Sequence, residues 1–271
     1  MKINKKILII RVIIAIIVVK IIMDREILYN TMATCWDVVG IPWHCKKEGE
    51  KTLCKVQQHT FSINPLDKWI SRPLKMGKYW ESWLHYYFNR YSNKNKVCLD
   101  IGANIGVHTV VLSDYFSQVH AFEPQKDVYN LLKQNVALNE CENVMLYNVG
   151  LGEKEDKLKM QCYDDNVKTN IGAIGIAQGG DEGCEEVDIK TLDSYNITGV
   201  ALIKIDVEGH EYQAFLGGME TVKTNRPVIL FEEHNYKSSQ VFEILETLNY
   251  EIRRLSLFND FIAIPGSAPL E

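Results

Sequence analysis

The chain has 271 residues, 46% of them hydrophobic and 24% charged, enough apolar material for one large domain or two small ones with a full core. Its net charge of −5, and the lack of any basic run with interleaved aromatics beyond the first 78 residues, argue against a nucleic-acid backbone as partner. No internal repeat and no low-complexity tract divides it.

Residues 1–6 are a basic tail carrying Lys2, Lys5 and Lys6, followed at 7–23 by seventeen residues that are apolar except for Arg11 and Lys20. That run is slightly short of the roughly 20 residues a bilayer span takes. Arg11 and Lys20 are nine residues apart, so at about 100° per residue they fall on opposite sides of a helix, whereas a helix lying on a membrane surface gathers its charges on one face. Each can instead snorkel to its nearer membrane face. The segment reads as a transmembrane signal-anchor, in preference to a cleaved signal peptide or a buried helix. The Lys and Arg excess ahead of it predicts a single-pass membrane protein with its N-terminus cytoplasmic and the rest of the chain on the far side.

Residues 24–96 form an aromatic-rich extension. Trp80, Trp83, Tyr87 and Tyr91 recur at helical spacing, which predicts a helix packed on the edge of the main domain; a flap over a ligand is the alternative, since aromatic faces stack on sugar rings. The cysteine count of seven is odd, and Cys35, Cys45 and Cys54 cluster here as in an oxidising compartment, while Cys98 reads as a small core hydrophobe. Asn196-Ile197-Thr198 is a glycosylation sequon.

From Val97 onward strand and helix alternate, which predicts an open, mainly parallel sheet. Residues 97–106, V-C-L-D-I-G-A-N-I-G, read as a buried strand ending in an acid, Asp100, then a tight turn framed by Gly102 and Gly106. A carboxylate at that tip repels phosphate and attracts a cation or hydroxyls, so the loop suits a ligand without phosphates. Residues 119–122 read as the next strand, ending at Glu123, 23 residues after Asp100, where a carboxylate can take both hydroxyls of a ribose. A helix over 127–139 and a third strand over 144–149 follow. The excursion over 154–193 exceeds an ordinary connection and predicts a hairpin or lid. Residues 201–205 are the fourth strand, with Asp206, Glu208 and His210 in its carboxyl-end loop and Glu211 opening the next helix. Asp206 and Glu208 point the same way if the strand runs on that far. A fifth strand over 228–231 ends at Glu232 and Glu233, and a helix over 241–248 precedes strands over 250–255 and 258–264.

Together the acids suit an adenosine with a cationic tail, and the residues resemble the class I S-adenosylmethionine-dependent methyltransferases. D-I-G-A-N-I-G from Asp100, F-E-P from Phe122, T-L-D from Thr191, I-K-I-D-V-E-G-H-E from Ile203 and R-P at Arg226 occur in the order of the FkbM-type family, a resemblance covering 97–265 and leaving 266–271 as a tail. It implies a doubly wound, Rossmann-like α/β fold with a seven-stranded sheet closed by an antiparallel hairpin. It implies S-adenosyl-L-methionine as cofactor, bound through Asp100, Gly102, Asn104, Gly106, Glu123 and Asp206, and transfer to a hydroxyl of a small-molecule or glycan acceptor. Asn170, in an N-x-G element similar to one in the family, is a candidate substrate contact, as are Glu232 and Glu233.

Such a transfer needs alignment and removal of one proton. A histidine side chain ordinarily titrates near neutrality and suits the base role, so His210 is the candidate base, oriented by Asp206 or Glu208. Asp206, Glu208, His210, Glu232 and His234 include metal-ligand types, but the reaction needs no metal and none is expected. A nicotinamide-dependent reductase needs G-x-G-x-x-G, which 102–106 lacks. A non-catalytic nucleotide- or glycan-binding protein on the same fold would not need the acids.

Overall fold

The computed structural model describes residues 44–65, 67, 69–161, 175–176, 185–234, 239–255 and 259–267. The expected membrane span at 7–23 and the expected contact Asn170 lie outside these residues. Among the described residues, no helix is long and apolar enough to cross a membrane.

The first elements form a small antiparallel sheet of β1 (Cys45–Glu48), β2 (Lys51–Val56) and β3 (His59–Ile63), in which Cys45 and Cys54 are register partners joined by a disulfide. Helices α1 (Ser71–Lys75) and α2 (Leu84–Arg90) follow. The aromatic spacing predicts one helix through Trp80 to Tyr91, yet α2 starts only after Trp83. Glu81 interrupts the run with a left-handed φ of 45°, which no right-handed helix accommodates.

The main sheet has seven strands in the order β12-β13-β11-β10-β4-β5-β6. These are β4 (Asn93–Ile101), β5 (Phe116–Phe122), β6 (Val144–Tyr147), β10 (Val200–Ile205), β11 (Val228–Glu232), β12 (Tyr250–Arg254) and β13 (Asp260–Pro265). Strands β6, β5, β4, β10 and β11 run parallel, and β13 enters antiparallel between β11 and β12. The strand order reverses between β4 and β10, the position where such sheets bind ligands at their carboxyl ends.

Both faces are buried, and strict alternation divides the residues between them. Cys98, Val119, Leu202 and Leu230 face one layer, with Val110 of α3 (Val107–Ser113), Leu132 of α4 (Lys126–Leu138) and Phe61 of β3. Leu99, Ile203, Ile229 and Phe231 face the other, with Phe215 of α5 (Glu211–Leu216), Val222 of α6 (Met219–Asn225) and Leu245 of α7 (Gln240–Thr247).

The third strand is shorter than the sequence suggests. It stops at Tyr147 because the Asn148 amide turns back to donate to the carbonyls of Glu123 and Pro124, 2.9 Å each. The excursion provides a hairpin of β8 (Asp156–Met160) and β9 (Glu185–Lys190), to which β7 (Gly150–Leu151) adds a parallel edge.

Candidate functional site

The turn after β4 is a left-handed path, with φ of 76° at Gly102, 52° at Asn104 and 85° at Gly106. Gly102 has no substitute there, because a Cβ would lie 1.8 Å from the Asp206 carbonyl oxygen. The amides of Gly102 and Ala103 both donate to the Phe122 carbonyl at 3.0 Å, which ties the turn to the end of β5.

Glu123, one residue beyond that strand, is buried and accepts from the Asn104 amide at Oε2 and the Gln125 amide at Oε1, 2.9 Å each. Burial pushes its pKa up to about 7, against the opposing pull of those amides and of Lys204. A carboxylate has room for further hydrogen bonds beyond the two it holds, so this acid can still receive a diol.

Asp100, a cofactor-binding candidate from the sequence, is buried with no exposed surface. Thr109 donates to its Oδ2 at 2.5 Å, the Lys204 ammonium lies 3.7 Å from Oδ1, and Oδ1 itself has no hydrogen-bond partner. Burial raises its pKa, with Lys204 opposing. Lys204 donates to the Gly102 carbonyl at 3.2 Å and to Asp206 at 3.4 Å. Burial disfavours its charge, but Asp206 and Asp100 outweigh that and hold its pKa above the ordinary lysine value. Asp100 thus meets the site's other residues through Lys204 and Thr109.

The strand feeding Asp206 stops at Ile205, so the expected alternation does not carry through to Glu208. Instead Glu208 (φ 51°) and Gly209 (φ 94°) turn the chain. Glu211 fixes this turn from the first turn of α5, its Oε1 accepting from the amides of Val207 and Gly209 at 3.2 Å each; burial raises its pKa to about 7. His210 is packed towards Gly152, where an added Cβ would lie 3.4 Å from its Nε2, and burial lowers its pKa.

Glu232 and Glu233 separate. Glu232 is buried at the end of β11, whereas Glu233 accepts at 2.5 Å from Ser239, the residue that caps α7, and so serves that helix. Glu208, Glu232 and His234 each bring a ligand atom within 4.8 Å of the others, the residue types a divalent ion takes. Asn259 orients the His234 ring through its Nδ1 at 3.0 Å.

Beside the carboxyl ends of β10 and β11 lies a cleft lined by Glu81, Lys204, Asp206, Glu232 and Asp260, with Leu84, Leu230 and Phe261 among its apolar walls. Sequence reasoning missed Glu81, Lys204 and Asp260. Lys204 had a signal, a lone charge in an apolar strand two residues before an acid and hence on its face. Asp260 reads only as part of the last strand, and Glu81 stands in no motif.

The description "Methyltransferase FkbM domain" fits residues 100–258, the span matched by that family model. Hexuronic acid methyltransferase AglP of Haloferax volcanii is 26% identical over 179 residues, which are 63% of this chain and 71% of that protein. Methyltransferase 1 of Beauveria bassiana is 28% identical over 141 residues, 44% of this chain and 57% of that one. Among solved structures, a methyltransferase FkbM from Methylobacillus flagellatus has a TM-score of 0.45 at 18% identity, over 63% of this chain and 43% of its own.

Proposed function

The chain belongs to the FkbM methyltransferase family, and on that premise we propose that it is an O-methyltransferase using S-adenosyl-L-methionine to methylate a hydroxyl of a sugar or glycan. The observation that carries the reading is the pairing of a glycine turn with a buried acid on the neighbouring strand: Asn104 donates to Glu123 across the mouth of the turn. The residues fit the donor. Gly102 and Gly106 leave backbone bare where a side chain would collide, Glu123 has lone pairs left for a ribose diol, and Asp206 offers a carboxylate to an ammonium.

When bound, the donor supplies an already activated sulfonium methyl, so this chain's residues have to align an acceptor and take one proton. His210 is the proposed proton acceptor; burial keeps its imidazole neutral at neutral pH and therefore able to accept. Glu232, buried in the cleft, is its rival and the proposed acceptor contact. Lys204 and Asp100 hold the turn and Asp206 in place. The printed name of the archaeal relative, a hexuronic acid methyltransferase, supports a sugar acceptor. The apolar run at 7–23 supports a membrane-held protein with its N-terminus in the cytoplasm.

Calorimetry with S-adenosylhomocysteine and with NAD tests the reading. Binding of the first and not the second is expected, and the reverse result overturns it.

A further inference from the structure

We infer that a pair of uncharged imidazoles, His85 and His108, latches helix α2 to helix α3, and that acid opens this latch and loosens the extension beside the cleft while the main sheet stays folded. His85 lies on α2 and His108 on α3, the helix that Gly106 of the glycine turn begins. Their rings meet edge to face with centroids 6.3 Å apart. Phe88 packs on both, stacked on His85 at 5.7 Å and edge-on to His108 at 5.5 Å. Both ring nitrogens of His108 and Nε2 of His85 are enclosed, and none of the three has a hydrogen-bond partner among the described residues. The two helices therefore meet through ring faces and edges, a contact that suits neutral rings and leaves an added proton without water to solvate it.

The charged neighbours set the sign. Glu81 Oε2, 3.5 Å from His108 Nε2, favours a proton there, whereas burial, then Lys204 and then His85 oppose it and hold the His108 pKa well below the ordinary value. On the other ring, burial and then the neighbouring His59 push the His85 pKa down to about 4. Tyr79 packs on His85 at 4.7 Å and meets His59 Nδ1 through its hydroxyl at 2.8 Å. His59 also has Asp114 3.3 Å from its Nε2, a carboxylate that welcomes a proton, so His59 lies outside the latch. Rings whose pKa is lowered while packed take up protons more readily once α2 has opened. The closed form is therefore favoured above the ordinary histidine value of about 6.5 and loses ground below it, roughly tenfold per pH unit for each ring. Leu84 of α2 is part of the cleft wall, so opening withdraws a wall of the candidate site. His85 precedes the matched span 100–258 and His108 lies within it, so the latch joins the extension to the family domain.

Amide hydrogen exchange of the full chain in detergent, read by mass spectrometry at pH 7.5 and 5.5 and corrected for the intrinsic rate, tests the latch. The opening constant of α2 is expected to rise roughly a hundredfold at the lower pH, about ten for each ring, while β10 and β11 keep their protection within about threefold. His85→Phe, which keeps a ring against Phe88, is expected to cut the rise to about tenfold, and His85→Phe combined with His108→Phe to remove it. Should the double variant not fold, exchange at the histidine C2 position in the wild type reads each ring's pKa without mutation and is expected to place both below about 6.5. An α2 opening constant that does not change with pH overturns the inference. So does loss of protection in β10 and β11 in step with α2, which is acid unfolding of the whole fold, and so does an undiminished rise in the folded double variant. Either ring titrating at or above the ordinary histidine value overturns it as well. None of these readouts involves the methyl donor, so the latch and the methyl-transfer reading stand or fall separately.

Discussion

Glu123 combines a demand for charge with a place that resists it. Its two oxygens accept backbone amides, yet burial lifts its pKa to about 7, so near neutrality the carboxylate is only part ionised. A ribose diol needs the ionised form as acceptor. Affinity for S-adenosylhomocysteine is therefore expected to rise between pH 6 and 8, and calorimetry across that range reads it. Glu123→Gln should flatten the profile and weaken binding roughly ten- to a hundredfold, the worth of a hydrogen bond to a charged group, about 1.5–3 kcal/mol. The stability of the free protein runs the other way. The folded pKa lies above the unfolded one, so the stabilising contribution is present at low pH and is lost as pH rises from the ordinary carboxylate range through about 7.

His210 has the opposite sign. Burial lowers its pKa, so it stays a competent base until the pH falls below the ordinary histidine value, and kcat is expected to drop only on that acidic limb. His210→Gln should abolish the limb and lower kcat by about 10²–10⁴-fold without changing donor affinity. If Glu232→Gln does so and His210→Gln does not, the base is the cleft carboxylate. The acids Asp100, Glu123 and Asp206 were legible in the sequence because each closes a short apolar run, and a strand's end is where a sheet meets its ligand. The burial of Asp100 was not, since it depends on Lys204, a residue 104 positions away. Glu81 was illegible for a stronger reason: its place comes from a backbone interruption among aromatics whose spacing reads as uninterrupted helix.

Helix α4 shows how the extension is fastened to the sheet. Asn135 and Asn139, one turn apart, present their amides to β3 as a neighbouring strand would. Asn135 accepts from the Ser62 amide at 2.6 Å and donates to the Ser62 carbonyl at 3.1 Å, and Asn139 does the same with Thr60 at 2.8 Å each. Asn135 also donates to the Ile105 carbonyl at 2.7 Å, joining β3 to the glycine turn. Asn135→Leu keeps the volume and strands three buried backbone groups, so a loss of about 3 kcal/mol is expected in denaturant unfolding, a conservative sum at roughly 1–3 kcal/mol per group. Asn139 is only part-buried, and Asn139→Leu should cost less. At this scale the seven strands of the main sheet and the helices α4 and α7 were readable to within a few residues, whereas β7, β8, β9 and α6 were not placed. The β1–β3 sheet was not, because its short strands do not stand out in an aromatic-rich stretch and its partners, Asn135 and Asn139, sit on a helix far along the chain.

As a whole, the described molecule is a sheet covered on both faces, one by α5, α6 and α7 and the other by α3, α4 and the disulfide-bonded β1–β3 sheet. An open, mainly parallel sheet followed from the alternation of elements and its seven strands with a closing hairpin from the family resemblance, while the strand order and the cleft required the fold, which brings residues 81, 206, 232 and 260 together. The proposed span at 7–23 is tested by fractionation. The full chain is then expected to pellet with membranes and resist alkaline carbonate, while a chain begun at His44 is soluble and binds S-adenosylhomocysteine with unchanged affinity. A cytoplasmic N-terminus puts everything after residue 23 on the far side, the oxidising setting in which a disulfide such as Cys45–Cys54 persists. Protease added to intact vesicles should leave that part whole and digest it once detergent is present. Release of the full chain by carbonate would remove the anchor, and digestion in intact vesicles would reverse the orientation.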